Sequence, residues 1–160
     1  MWEKRRRQVQ ELIGENVDLT IVGDISREGL MKKTILLVED EKMILELMGE
    51  VLEREGYEVL ACADPVEGID VCLRHPEKID LLLTDVMMPG MNGWEMANRV
   101  HEIRPQLRVL FMSGYTEHVL LHDGEVEPHL EYLQKPFTLE TLTRKLAHVL
   151  GKQELCAVGK

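Results

Sequence analysis

The sequence predicts an α/β protein built on a doubly wound, five-stranded parallel sheet with helices on both faces. Three observations carry this. From Lys33 onward, short apolar runs alternate with amphipathic stretches at a regular step. Such alternation implies right-handed crossovers and a parallel sheet. Three of the five runs are continuously apolar, as strands buried on both sides must be. Finally, polar side chains collect just after the runs, where open sheets of this class bind ligands.

The elements follow in order. KTILLV (33–38) is the first strand. EKMILELMGEVLEREG follows as a helix, with Met43, Ile44, Leu47, Met48, Val51 and Leu52 on one face and Gly56 as the stop. YEVLAC (57–62) is the second strand. Asp64 then caps a helix, with Pro65 at its first position and Glu67 at its third. IDLLLT (79–84) is the third strand, and Asn92-Gly93 reads as a turn after it. A helix from about Trp94 to Ile103 stops before Pro105, and LRVLFMS (107–113) is the fourth strand. A short helix is expected over 116–122, and LEYLQ (130–134) is the fifth strand. Thr138 caps a last helix that buries Leu139, Leu142, Leu146 and Val149.

Composition narrows the function classes. The 160 residues are 44% hydrophobic and 30% charged, which fits one globular domain with extensions. No apolar run approaches the roughly 20 residues of a membrane span. The net charge of −10 argues against general nucleic-acid binding, and the cluster Lys4-Arg5-Arg6-Arg7 reads as a solvated flank. Cys62, Cys72 and Cys156 match no metal or redox spacing, so a reducing, cytoplasmic location is expected, with Cys62 and Cys72 as core fillers. The start MWEKRRRQVQ lacks the apolar core of a secretory signal.

The strand ends hold the chemistry. Glu39 and Asp40 follow the first strand, Asp85 the third, Ser113 the fourth and Lys135 the fifth. Three carboxylates facing one ammonium leave a formal charge of about −2, a crowding that protons or a cation must relieve. Mg²⁺, held by one or two carboxylates with several waters retained, suits such a site. A phosphoryl group could then be accepted by Asp85 as nucleophile, with Ser113 and Lys135 donating to its oxygens. Each residue also has a plainer reading. Asp85 could start a turn, Ser113 cap a helix, Lys135 sit on the surface, and Tyr132 merely pack. Glu41 reads as an exposed acid in the first turn of its helix rather than a ligand.

VEDE (38–41), TDVMMPGMNG (84–93), FMSGY (111–115) and YLQKPF (132–137) together resemble the signature segments of the receiver domain of two-component response regulators. Asp85 lies 45 residues after Asp40, Ser113 28 after Asp85, and Lys135 22 after Ser113, and these intervals match the family. The resemblance covers about residues 32–150. It implies a flavodoxin-like sheet of order 2-1-3-4-5 and phosphorylation of Asp85. It implies Mg²⁺ on Glu39, Asp40, Asp85 and the backbone carbonyl of Met87. Ser113 and Lys135 are then the phosphoryl-binding pair, and Tyr132 the aromatic that moves inward on activation. Met87 and Tyr115 fall where the family controls the attacking water, and the Lys135-Pro136 bond is expected to be cis. The implied partner is a histidine kinase or a histidine phosphotransfer protein. Such a module is no enzyme beyond promoting its own phosphorylation and dephosphorylation.

The remaining expectations concern the ends and the output. Residues 31–150 form the receiver domain and 151–160 a tail too short for an output module. Residues 1–30 are an extension; RRQVQELIGENVDLTIV (6–22) resembles the exit from a histidine kinase's dimerisation helices, while disorder or a partner-bound helix are equal alternatives. Signalling must then proceed by binding. HVLLHDG (118–124) marks the surface of residues 114–150 as the face for a partner or homodimer. Two rival functions remain: a Mg²⁺-dependent phosphohydrolase with an aspartyl nucleophile, and a receiver-shaped binding module that takes no phosphate. The hydrolases usually carry a second acid two residues on, where this chain has Met87.

Overall fold

The structure is a computed structural model that describes residues 32–114 and 131–151. Its five strands are β1 (Thr34–Val38), β2 (Glu58–Cys62), β3 (Leu81–Asp85), β4 (Arg108–Ser113) and β5 (Glu131–Gln134). Four described helices are interspersed: α1 (Lys42–Arg54), α2 (Pro65–Arg74), α3 (Gly93–Ile103) and α4 (Leu139–Gly151). All pairings are parallel, and the strand order is β2-β1-β3-β4-β5. The expected helix over 116–122, the stretch 118–124, Tyr115, Cys156 and residues 1–30 and 152–160 lie outside the described residues, while Gly151, expected to begin the tail, closes α4.

Strand side chains alternate between two cores. Ile35 and Leu37 of β1, with Leu81 and Leu83 of β3, face Leu45, Met48 and Leu52 of α1 and Leu142, Leu146 and Val149 of α4. Leu36, Val38 and Leu82 face the other way, onto Cys72 of α2 and Met96 and Val100 of α3. Period-2 alternation between two helical layers explains the continuous apolar runs Ile35–Val38 in β1 and Leu81–Leu83 in β3, two strands that are buried throughout. The edge strands β2 and β5 are only partly buried.

Helix punctuation mostly follows the sequence. Asp64 accepts hydrogen bonds from the N–H of Val66 and of Glu67, and Pro65 opens α2. Gly56 has φ +93°, the left-handed conformation in which α1 ends. Thr138 Oγ1 accepts from Thr141 N at 3.1 Å to start α4. Cys62 and Cys72 are buried free thiols, as expected of core fillers. Among the described residues, no helix is long and apolar enough to cross a membrane.

Four local expectations need correction. Met43 is 64% exposed and Leu45 occupies the core in its place, because α1 presents residues 45, 48 and 52 to the sheet. Asn92 does not make a turn but caps α3: its side chain accepts from Glu95 N while Glu95 Oε2 accepts from Asn92 N. The third strand begins at Leu81 rather than Ile79; just before it, Asp80 N donates to Thr34 O at 2.9 Å while the Asp80 side chain, not its carbonyl, accepts from Thr34 N at 2.8 Å. Leu139 is only half-buried, and Leu150 joins the core of α4.

Candidate functional site

The strand order fixes where a site can form. From β1 the chain crosses to β2 on one side, and β3 returns on the other, so the crossovers diverge between β1 and β3. At such a switch point the loops leave a crevice beyond the carboxyl ends of the strands. Val38 is level with Thr84 across the β1–β3 pair, so Glu39 and Asp85 emerge side by side into it.

The site residues differ in their burial. Glu39 is 1% exposed and Asp85 9%, whereas Asp40, one residue later, is exposed. Glu39 Oε1 accepts from the N–H of Glu41 at 3.3 Å, and Asp85 Oδ1 accepts from the N–H of Met87 at 3.0 Å. Glu41 is exposed, as expected, but stands at the N-cap of α1 rather than in its first turn. Lys135 follows β5, and its side chain spans the width of β4 to reach the crevice. Its Nζ donates to Asp85 Oδ2 at 2.7 Å and to Glu39 Oε2 at 2.9 Å. The Lys135-Pro136 bond is cis, as expected.

Ser113 is buried at the end of β4, between β3 and β5 in sheet order, and its carbonyl accepts from Lys135 N at 2.7 Å. Tyr132 on β5 is half-buried against the cluster of Val86, Ala97 and Phe111, which Trp94 also joins. Met87 follows Asp85 closely, with a side chain 61% exposed. The loop from Asp85 to α3 is tied at both ends: Val86 N donates to Met112 O at 3.0 Å, and Gly93 N to Val86 O at 2.9 Å.

Electrostatics follow from this packing. Burial raises the Glu39 carboxyl above the ordinary value of 4.5, and the hydrogen bond and charge of Lys135 only partly offset the rise. For Lys135, burial works against the charge, but hydrogen bonds to Asp85 and Glu39 outweigh it and raise the ammonium above 10.5. Lys135 therefore stays charged between two carboxylates. Glu39, Asp40 and Asp85 each offer a carboxylate oxygen, and the three oxygens lie within 4.8 Å of one another. Hard oxygen donors from two or three carboxylates, one of them solvent-facing, fit Mg²⁺.

The model for the response regulator receiver domain matches residues 35–147, a span that takes in the acidic crevice and all of the five strands but Thr34. The chain belongs to the receiver-domain family. Among relatives, it is 33% identical over 118 residues to the response regulator receiver protein CpdR of Brucella abortus, covering 74% of this chain and 97% of that protein. It is 31% identical to sporulation initiation phosphotransferase F of Bacillus subtilis, covering 71% and 90%. With the sensor kinase CckA of Brucella abortus it shares 30% identity over 121 residues, which is 76% of this chain but 13% of the kinase. Solved structures agree. A receiver domain from Clostridium thermocellum superposes with a TM-score of 0.69 at 27% identity, covering 78% of this chain and 98% of that one. The receiver domain of the hybrid histidine kinase CckA gives 0.62 at 32%, covering 73% and 98%.

Membership sets what this receiver is in outline: a module of two-component phosphorelay signalling of the kind that binds Mg²⁺ at an acidic pocket and works with histidine kinases and phosphotransfer proteins. Of the residues singled out in the sequence, Glu39, Asp85 and Lys135 meet in direct contact. Asp40 and Ser113 border them, Tyr132 lies on the adjoining aromatic cluster, and Tyr115 is outside the described residues. Sequence reading overlooked the reciprocal cap of Asn92 and Glu95, although the pattern N-x-x-E was there to find.

Proposed function

We propose that this receiver takes a phosphoryl group from a histidine kinase or histidine phosphotransfer protein onto Asp85, with Mg²⁺, and signals by changing a binding face. The observation that carries this is the Lys135 ammonium bonded at once to Asp85 and Glu39, beside Asp40, in the crevice between β1 and β3. Such an arrangement sets an Asp85 carboxylate oxygen in the crevice as the nucleophile, with a cation already beside it.

The transfer is a substitution at phosphorus. An Asp85 carboxylate oxygen bonds to phosphorus as the donor's P–N bond breaks, and the bonding pair leaves with the imidazole, which takes up a proton. A small donor such as acetyl phosphate loses acetate by P–O cleavage instead. Glu39, Asp40, Asp85 and the Met87 carbonyl would hold Mg²⁺, which when bound supplies positive charge to the phosphoryl oxygens. Lys135 then exchanges its carboxylate partner for a phosphoryl oxygen, and Ser113 donates from the other side. Water attack at phosphorus later restores the carboxylate and releases phosphate. Met87 and Tyr115, both bulky and neither able to orient water as a carboxylate would, favour a long-lived phosphorylated form.

Output follows from strands β4 and β5. As Ser113 moves toward the phosphoryl group, Tyr132 gains room, and the surface of residues 114–150 shifts in population toward its partner- or homodimer-binding state. We assign the receiver module to residues 31–150, with 1–30 and 151–160 as extensions, and place the protein in the cytoplasm. The phosphohydrolase reading is disfavoured because the position two beyond Asp85 is Met87, which has no proton to give a leaving group. Intact-mass measurement after treatment with acetyl phosphate and Mg²⁺ tests the proposal. One added phosphoryl group on the wild type and none on Asp85→Asn is expected; equal labelling of both would sink it.

A further inference from the structure

Gly93 opens α3 eight residues after Asp85, yet the two are in contact. A Cβ placed on Gly93 would lie 2.2 Å from the Asp85 carbonyl oxygen, 3.1 Å from the Asp85 carbonyl carbon and 3.0 Å from Val86 Cα. All three are backbone atoms, so no side-chain rotation relieves the approach. Gly93 N also donates to Val86 O at 2.9 Å, closing the loop on itself. The first turn of α3 is then fixed by the reciprocal hydrogen bonds of Asn92 and Glu95, at 3.1 and 2.9 Å. From the other side, Val86 N is held by Met112 O of β4. The Asp85 backbone is thus clamped between β4 and the start of α3.

We infer that Gly93 is a positioning residue for the phosphoacceptor: by lacking a side chain it lets α3 seat directly on the Asp85 backbone and so sets where the carboxylate stands relative to Lys135. The inference rests on Asp85 as the phosphorylated residue. The carboxylate bonds Lys135 Nζ at 2.7 Å and Met87 N at 3.0 Å, and opening the 2.2 Å approach to an ordinary contact displaces the backbone by about 1 Å, which breaks that geometry. Displacements of that size at a reacting atom cost large factors in rate.

Gly68 supplies the control. A Cβ there would lie 2.6 Å from Met96 Cε and 3.0 Å from Val38 Cγ2, crowding the α2–α3 contact without touching Asp85. The experiment compares Gly93→Ala, Gly68→Ala and wild type in the rate of phosphorylation by acetyl phosphate with Mg²⁺, followed by intact mass. Urea unfolding of each variant confirms that the rates are read on folded protein. The expected result is that G93A is phosphorylated at least tenfold more slowly than wild type, while G68A stays within about threefold of it. Equal rates for G93A and G68A would overturn the inference, since crowding alone would then explain both. Should G93A not fold, Asn92→Ala, which keeps Gly93 but frees the α3 start from its cap, takes its place. A rate at least threefold below wild type supports the inference, and an unchanged rate refutes it. Wild type that takes no phosphoryl group at Asp85 overturns the assignment of Asp85 and this inference with it, an outcome distinct from a labelled wild type with an equally labelled G93A.

Discussion

Replacing Lys135 by methionine keeps a side chain of similar length and removes the ammonium that faces the acidic crevice. Its Nζ lies 2.7 Å from Asp85 Oδ2 and 2.9 Å from Glu39 Oε2, so two ion pairs are lost in one step. Removing one partner from a fully buried pair costs about 3–5 kcal/mol, because the remaining charge is left uncompensated. Here the Glu39 side chain is 2% exposed, but those of Lys135 and Asp85 are 23% and 12%, so water screens part of the field. That places the loss lower, at about 2–3 kcal/mol. Mg²⁺ should recover part of it, since a bound cation takes over the compensation that the ammonium gave. Urea unfolding at neutral pH, with and without Mg²⁺, reads both effects. The midpoint of Lys135→Met should fall in metal-free buffer without a change in slope. Mg²⁺ should then raise that midpoint more than it raises the wild type's. A variant as stable as wild type without metal, or equal increments from Mg²⁺ in both, would refute the reasoning.

Three further outcomes are expected. Asp40→Ala should weaken Mg²⁺ binding about tenfold or more in calorimetry, because it deletes the exposed carboxylate of the trio while sparing the Lys135 contacts; unchanged affinity would count against the site. Burial raises the Cys62 thiol to about 12 and also raises Cys72. At pH 8 only about one Cys62 in 10⁴ is then thiolate, so neither residue should react with a thiol reagent until the protein unfolds, as peptide mapping would reveal. Leu83→Ala, in the fully buried central strand, should cost about 2–5 kcal/mol by urea unfolding. A loss below 1 kcal/mol would mean that β3 is not at the centre of the core.

The parts of the fold that could be read from the chain are those where one physical requirement dominates. Strands β1 and β3 are buried between two helical layers, so their apolar runs admit few other interpretations. Asp64 and Pro65 state the start of α2 in local chemistry, and the structure has that cap. Met43 was misplaced because residues 43 to 52 hold more apolar side chains than one helix face can bury. The sheet, absent from any local pattern, selects Leu45, Met48 and Leu52. Asn92-Gly93 was ambiguous because the same dipeptide serves hairpins and helix starts, and only Glu95, three residues on, separates the two. Asp80 bonds Thr34 N from 46 residues away, a tertiary contact with no local trace.

The candidate site divides in the same way. That Glu39, Asp40, Asp85, Ser113 and Lys135 share one edge follows from strand ends alone. Their order of intimacy does not. Glu39 is buried while its neighbour Asp40 is exposed, because only Glu39 is level with Asp85 beside the end of β1. The reach of Lys135 across β4 depends on the β3-β4-β5 order, which local periodicity cannot express. The seating of Gly93 on Asp85 likewise appears only once the loop is closed.

The central claim is that Asp85 accepts the phosphoryl group, and chemical trapping tests it at the residue itself. Borohydride reduces an acyl phosphate to an alcohol, so an aspartyl phosphate becomes homoserine. Protein treated with acetyl phosphate and Mg²⁺, reduced, digested and sequenced by mass spectrometry should carry homoserine at position 85 and at no other aspartate. Homoserine at Asp40 or elsewhere, with Asp85 intact, would contradict the account.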